Sequence, residues 1–213
     1  MRSLVILAPI LIVATDSTAP KSSRSTFAKA DEGKLPAGWT AARTGKGEGS
    51  VWKVVADAST PSQSGYALAQ TAEGPPRLFN LCLQDDSRFL NGEISVRFKV
   101  VDGKVDQGGG VCWRVQDANN YYVARYSPLE RDFRLYQVVD GLRFPLATEQ
   151  VSLTDSPWHT LSIRHQGDRV ECLLDGRRYL EATDVKIKEA GRVGLWTRAD
   201  ARTHFDELIV TPK

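Results

Sequence analysis

The chain is short of the residues that metal, redox and nucleotide chemistry need. Its three cysteines, Cys82, Cys112 and Cys172, are odd in number and far apart. That excludes a disulfide framework and a cysteine-rich zinc site, and leaves room for one bridge at most. Small, buried and apolar is the expectation for all three. The three histidines lack metal-ligand spacing, and His159 and His165 share one face of a strand pattern with Leu161 and Ile163, as a partly buried structural pair would. No Gly-x-Ser-x-Gly elbow occurs, and Gly45, Gly47 and Gly49 do not open a helix as a phosphate loop does. An excess of one charge is missing too. The 28 basic and 26 acidic residues are scattered for a net +2, so no basic stripe exists to neutralise a phosphate backbone and nucleic acid is not an expected partner.

The apolar run from Leu4 to Ala14 is too short to cross a hydrocarbon core of roughly 30 Å as a helix, and Pro9 interrupts it. With Arg2 before it and the small residues Ser17, Thr18 and Ala19 after it, the segment reads as an export signal over residues 1–19. No cysteine follows the run, which argues against a lipid anchor. The expectation is therefore a secreted or periplasmic protein that does not span the membrane. Residues 20–34 are rich in Ser, Lys and Ala without an apolar period, as a flexible linker is. The folded domain is expected over residues 35–213, long enough for one substantial core.

From Leu35 onward apolar and polar residues alternate in short runs, the signature of half-buried strands. In the clearest run, Ile94, Val96, Phe98 and Val100 face one way and Glu93, Ser95, Arg97 and Lys99 the other. Asp140-Gly141 and Asp175-Gly176 each separate two such runs, and a type I′ hairpin turn is what Asp-Gly favours. A dozen or so short strands at this spacing predict an all-β, two-sheet antiparallel sandwich of the jelly-roll kind.

The central strands concentrate rings and guanidiniums: Trp113, Arg114, Tyr121, Tyr122, Arg125, Tyr126, Arg134 and Tyr136, then Trp196 and Arg198. Sugars are held by such mixtures, because pyranose C–H faces stack on rings while hydroxyls pair with planar donors. The candidate carbohydrate-binding residues are Arg114, Tyr122, Arg125, Arg134, Tyr136, Trp196 and Arg198. Trp113 and about half the tyrosines are expected in the core. The arginines have a second reading, a salt-bridge lattice with Glu93, Glu130 or Asp132, since guanidiniums are not buried without partners.

The stretch GGGVCWRVQDANNYYVARY (Gly108 to Tyr126), followed by LYQVVDG (Leu135 to Gly141), LDG (Leu174 to Gly176) and GRVGLWTRADARTHFDELIV (Gly191 to Val210), resembles the concanavalin A-like lectin/glucanase superfamily. The likeness is to its LamG-like branch, related to 3-keto-disaccharide hydrolase domains. It implies a jelly roll whose concave face is the carbohydrate site, and a structural calcium held by Asp206 with backbone oxygens. Family 16 enzymes of this fold carry Glu-x-Asp-x-x-Glu on one strand, because a retaining pair needs carboxyls about 5 Å apart. Here Glu130 and Asp132 are present but Leu135 stands at the third position. The hydrolase branch's Glu-Tyr-Gln likewise becomes Leu135-Tyr136-Gln137, whereas Arg114 keeps the arginine of its other motif. A non-catalytic domain binding an oligosaccharide or polysaccharide is the leading expectation. The alternatives are a hydrolase or lyase of 3-keto-disaccharides or related glycans, with Glu93 or Asp132 as base, and a structural adhesion module.

Overall fold

A computed structural model describes residues 21–213 apart from Val185, so the expected export signal lies outside the described residues. Fifteen strands form there: β1 (Ser23–Ser25), β2 (Trp39–Thr44), β3 (Trp52–Ala56), β4 (Tyr66–Gln70), β5 (Phe79–Phe89), β6 (Gly92–Asp102), β7 (Gly109–Asp117) and β8 (Asn120–Ser127). They continue with β9 (Asp132–Val139), β10 (Leu142–Gln150), β11 (His159–Gln166), β12 (Arg169–Leu174), β13 (Arg177–Thr183), β14 (Gly191–Arg198) and β15 (Arg202–Pro212). Among the described residues no helix is long and apolar enough to cross a membrane.

The strands make two antiparallel sheets. The first runs β13-β12-β11-β6-β15-β4-β3 with β1 added on β15, and the second runs β10-β9-β8-β7-β14-β5-β2. Alternation places Ile94, Val96 and Phe98 of β6, Leu161 and Ile163 of β11 and Phe205 of β15 between the sheets. There they meet Val111 and Trp113 of β7, Tyr122 and Ala124 of β8 and Phe133 and Leu135 of β9. Each such side chain removed from water stabilises the fold by about 1.5–3 kcal/mol. On the opposite side of the first sheet, Glu93 pairs with Arg164 at 3.2 Å, and Arg178 binds Glu171 and Glu181 at 2.7 and 2.9 Å. That is a solvated face.

The two Asp-Gly turns form as the sequence demands. Asp140 and Gly141 have φ of 51° and 77°, and Asp175 and Gly176 have 47° and 79°, the doubly left-handed pair that matches strand twist. The expected linker does not hold over its described part. Ser23–Ser25 pairs with Leu208–Val210, Phe27 is buried against Trp39 and Glu32 bridges to Val54, so the sandwich begins upstream of Leu35. All three cysteines are free and buried. Cys82 faces the core between the sheets whereas Cys112 faces the far side of the second sheet, so backbone separates these two.

His159 and His165 are buried as a structural pair would be. His165 Nδ1 accepts a hydrogen bond from Trp113 Nε1 at 2.9 Å. Burial, with the Arg114 charge nearby, lowers the His165 pKa to about 4.

Candidate functional site

Strand alternation gives the second sheet an outward face, and five of the seven predicted residues lie on it. Along β8, Tyr122, Ala124 and Tyr126 point into the core, leaving Tyr121, Val123 and Arg125 outward. Along β9, Phe133 and Leu135 point inward and Arg134, Tyr136 and Val138 outward, and on β14 Leu195 is inward with Trp196 and Arg198 outward. Strand pairing then sets Arg125 opposite Arg134, and Val123 opposite Tyr136.

The rings form the floor. Trp196 packs on Phe79 with centroids 5.4 Å apart, and its Nε1 donates to Tyr121 Oη at 3.3 Å. Tyr121 Oη in turn lies 2.8 Å from Thr44 Oγ1. Arg143 of β10 lies over this floor, its Cζ 4.5 Å from the Phe79 centroid, 4.8 Å from Tyr136 and 6.0 Å from Trp196. With Trp196 1% exposed and Tyr136 4%, the ring faces are covered and cannot stack against a ligand from solvent. Trp196 and Tyr136 are therefore supports, which corrects the expectation of direct stacking.

Next to the rings sits an ionic cluster. Arg125, 2% exposed, donates to Asp132 Oδ1 at 3.1 Å and to Glu130 Oε2. Arg134 pairs with Asp132 Oδ2 at 2.5 Å and with Glu130 at 3.5 Å, and its Nη1 donates to Tyr136 Oη at 3.1 Å. Arg198 lies 3.4 Å from Asp106 and 3.7 Å from Glu130. Burial alone would raise the Glu130 carboxyl, but the hydrogen bond from Arg125 and the charges of Arg125, Arg134 and Arg198 hold it below the usual carboxylate range. Burial pushes Asp106 up, more than the Arg125 and Arg198 charges offset. The cluster stays open to solvent through Glu130, Arg134 and Arg198, whose side chains are 38%, 33% and 20% exposed. The lattice expected of the arginines is thus real for Glu130 and Asp132, and it coincides with the candidate face. Glu93 belongs to the other sheet and takes no part.

Arg114 and Tyr122 are not on this face. A β-bulge sets Trp113 and Arg114 together between Cys112 and Val115, Arg114 takes φ 47°, and Val115 recovers the outward position. The Arg114 guanidinium is buried and donates to the carbonyls of Leu90, Ile187 and Gly167 at 2.9, 2.8 and 3.0 Å. Tyr122 packs between the sheets, its hydroxyl donating to Asp184 and accepting from Ile187 N at 3.2 Å. Both are structural, because alternation fails at a bulge and an aromatic ring is as useful inside a sandwich as on its surface.

Asp206 is buried at another bulge, where Glu207 has φ 50°. Its two oxygens accept from Ser62 N and Glu207 N, each at 2.9 Å. Amide N–H donors complement a negative charge and are the opposite of calcium's oxygen ligands, so the residues present do not fit calcium at this position. No group of three or more His, Cys, Asp or Glu suited to a metal occurs among the described residues.

Depressions of about 390 and 450 Å³ lie elsewhere, one over Gly92, Arg164 and Arg169, the other beside Asp85, Arg88 and Arg192. Neither is lined by Trp, Tyr or Phe, so the second sheet's outward face, where rings and paired charges converge, is the stronger candidate.

No protein-family model and no curated protein matches the chain. Solved structures do. A carbohydrate-binding module, CBM66 from Bacillus subtilis, superposes with a TM-score of 0.64 at 20% identity, covering 82% of this chain and 96% of that one. A β-glucanase from Bacillus licheniformis gives 0.58 at 12% identity over 92% and 100%. The chain has the concanavalin A-like fold. A native glycosidic hydrolase of the same sandwich architecture matches at 0.56 and 10% identity over 92% and 98%. Within this concanavalin A-like sandwich, sequence reasoning missed Arg143, Phe79 and Asp106. A signal for Arg143 existed, since the Asp140-Gly141 turn pairs Arg143 with Val138 and so fixes it on the Tyr136 face. Asp106 lies in a loop, where no period operates.

Proposed function

We propose that this chain is an exported, secreted or periplasmic carbohydrate-binding domain that holds an oligosaccharide or polysaccharide on the outward face of its second sheet. One observation carries the reading: Glu130, Arg134 and Arg198 reach solvent side by side while buried partners fix each of them. Sugar hydroxyls both donate and accept, and a surface that alternates carboxylate acceptors with planar guanidinium donors meets both needs. Prior fixing also lowers the entropy lost on binding. The fold shared with CBM66 and a β-glucanase agrees with a glycan ligand. Screening the processed protein on a glycan array should give saturable binding to at least one glycan class, reduced about tenfold or more by Arg134→Ala, since a charged hydrogen bond contributes about 1.5–3 kcal/mol. Absence of binding to every glycan would end the proposal.

A second reading, hydrolysis or lyase chemistry on a glycan such as a 3-keto-disaccharide, is favoured by one feature. Asp106 is shifted up and Glu130 down within one cluster, and an acid–base pair needs such a split. The binding reading takes precedence because Asp106 is nearly sealed from solvent and Asp132 is wholly buried. Release of reducing sugar from a bound glycan, abolished in Glu130→Gln, would decide for catalysis.

A further inference from the structure

Arg143 lies among the arginines of the candidate face, but unlike Arg125, Arg134 and Arg198 it has no carboxylate partner among the described residues. Asp106, Glu130 and Asp132 are taken by Arg125, Arg134 and Arg198. No carboxylate of the described residues pairs with Arg143, and its buried Nη1 has no hydrogen-bond partner among them. Its guanidinium carbon lies within 5 Å of the Phe79 and Tyr136 ring centroids, which gives the charge partial electrostatic compensation. Desolvation, with repulsion from the Arg198 and Arg125 charges, disfavours the charged guanidinium by more than Tyr136 and the Asp106 carboxylate favour it. A fixed, partly desolvated cation with donors to spare gains more from an arriving anion than from a neutral hydroxyl, because the anion adds charge–charge attraction that a low-dielectric site screens less than water does.

From this geometry we infer that the ligand is an acidic glycan, and that Arg143 receives its anionic substituent, a uronate carboxylate or a sulfate ester. The inference rests on the carbohydrate-binding reading and narrows it. A planar guanidinium presents two parallel N–H donors, which match either group. Glu130 and Arg134 then hold the neutral hydroxyls of the same or the adjoining sugar, since Arg143 pairs with Val138, which is four residues along β9 from Arg134.

The test compares glycans rather than proteins alone. Uronate-containing oligosaccharides are titrated into the wild-type protein beside carboxyl-reduced counterparts of identical linkage, with sulfated oligosaccharides and their desulfated forms as a parallel arm. Binding should weaken about tenfold or more on carboxyl reduction or on desulfation, and whichever arm shows the loss names the anion. In Arg143→Gln the ratio of acidic-form to neutral-form affinity should fall to about one, whatever the variant does to binding as a whole, and Arg143→Lys should keep part of that ratio. Equal binding of acidic and neutral forms to wild type overturns the acidic-ligand inference and leaves the carbohydrate-binding proposal standing. Binding to neither form of any glycan overturns both. The wild-type comparison stands even where an Arg143 variant fails to fold.

Discussion

At the scale of single residues, the partners of a buried polar group decide what pH does to it. His165 accepts from Trp113 and is buried, with a pKa of about 4 against 6.5 unfolded. The unfolded chain therefore binds the proton first as pH falls, so stability drops between about pH 6.5 and 4 and is flat in this group above that window. The full effect is on the order of 3 kcal/mol. Denaturant unfolding of His165→Gln, which keeps an acceptor for Trp113 but cannot titrate, should show a flatter pH dependence over that window than wild type. Parallel curves would mean that His165 is not held neutral. The same residue scale explains where composition misled. Arg114 looked like a surface arginine until a bulge turned it onto three carbonyls, and nothing in the local sequence announces a left-handed φ at an arginine.

At the scale of elements, hairpin chemistry links turn to site. Asp140-Gly141 and Asp175-Gly176 are near-identical turns, but the first carries β10 and Arg143 while the second joins β12 to β13 in the other sheet. A Cβ at Gly141 would meet Asn119 Oδ1 at 3.2 Å in a left-handed backbone. Gly141→Val and Gly176→Val should each cost about 1–3 kcal/mol in thermal or chemical unfolding. Only Gly141→Val should also weaken glycan binding; equal weakening by both would detach the site from β10. Period-two alternation made most strands legible, including the buried-exposed alternation of β6 from Glu93 to Lys99. It was silent for β1, three residues of Ser-Arg-Ser held by pairing on β15, and for β2, where Thr-Ala-Ala-Arg-Thr carries almost no apolar contrast. Pairing to an existing edge, rather than any local preference, makes those strands.

At the scale of the whole molecule, the sandwich leaves two outward faces of different character. That of the first sheet is a lattice of exposed arginine–glutamate pairs, each worth little in water. That of the second sheet buries rings beneath charges and keeps only three of its charged cluster's side chains substantially open. Aromatic and arginine content along the chain pointed to the second face, yet could not say that the rings lie below the ions, because that order depends on the Arg143 side chain of β10 reaching over Tyr136 and Phe79. Chemical-shift mapping separates the faces most directly: isotope-labelled protein is titrated with a glycan that binds it, and backbone amide shifts are followed. The account expects the largest shifts from Glu130 to Tyr136, at Arg143 and at Arg198, with Glu93, Arg164 and Arg169 unmoved. Shifts confined to the first sheet or to the depression beside Gly92 would contradict it.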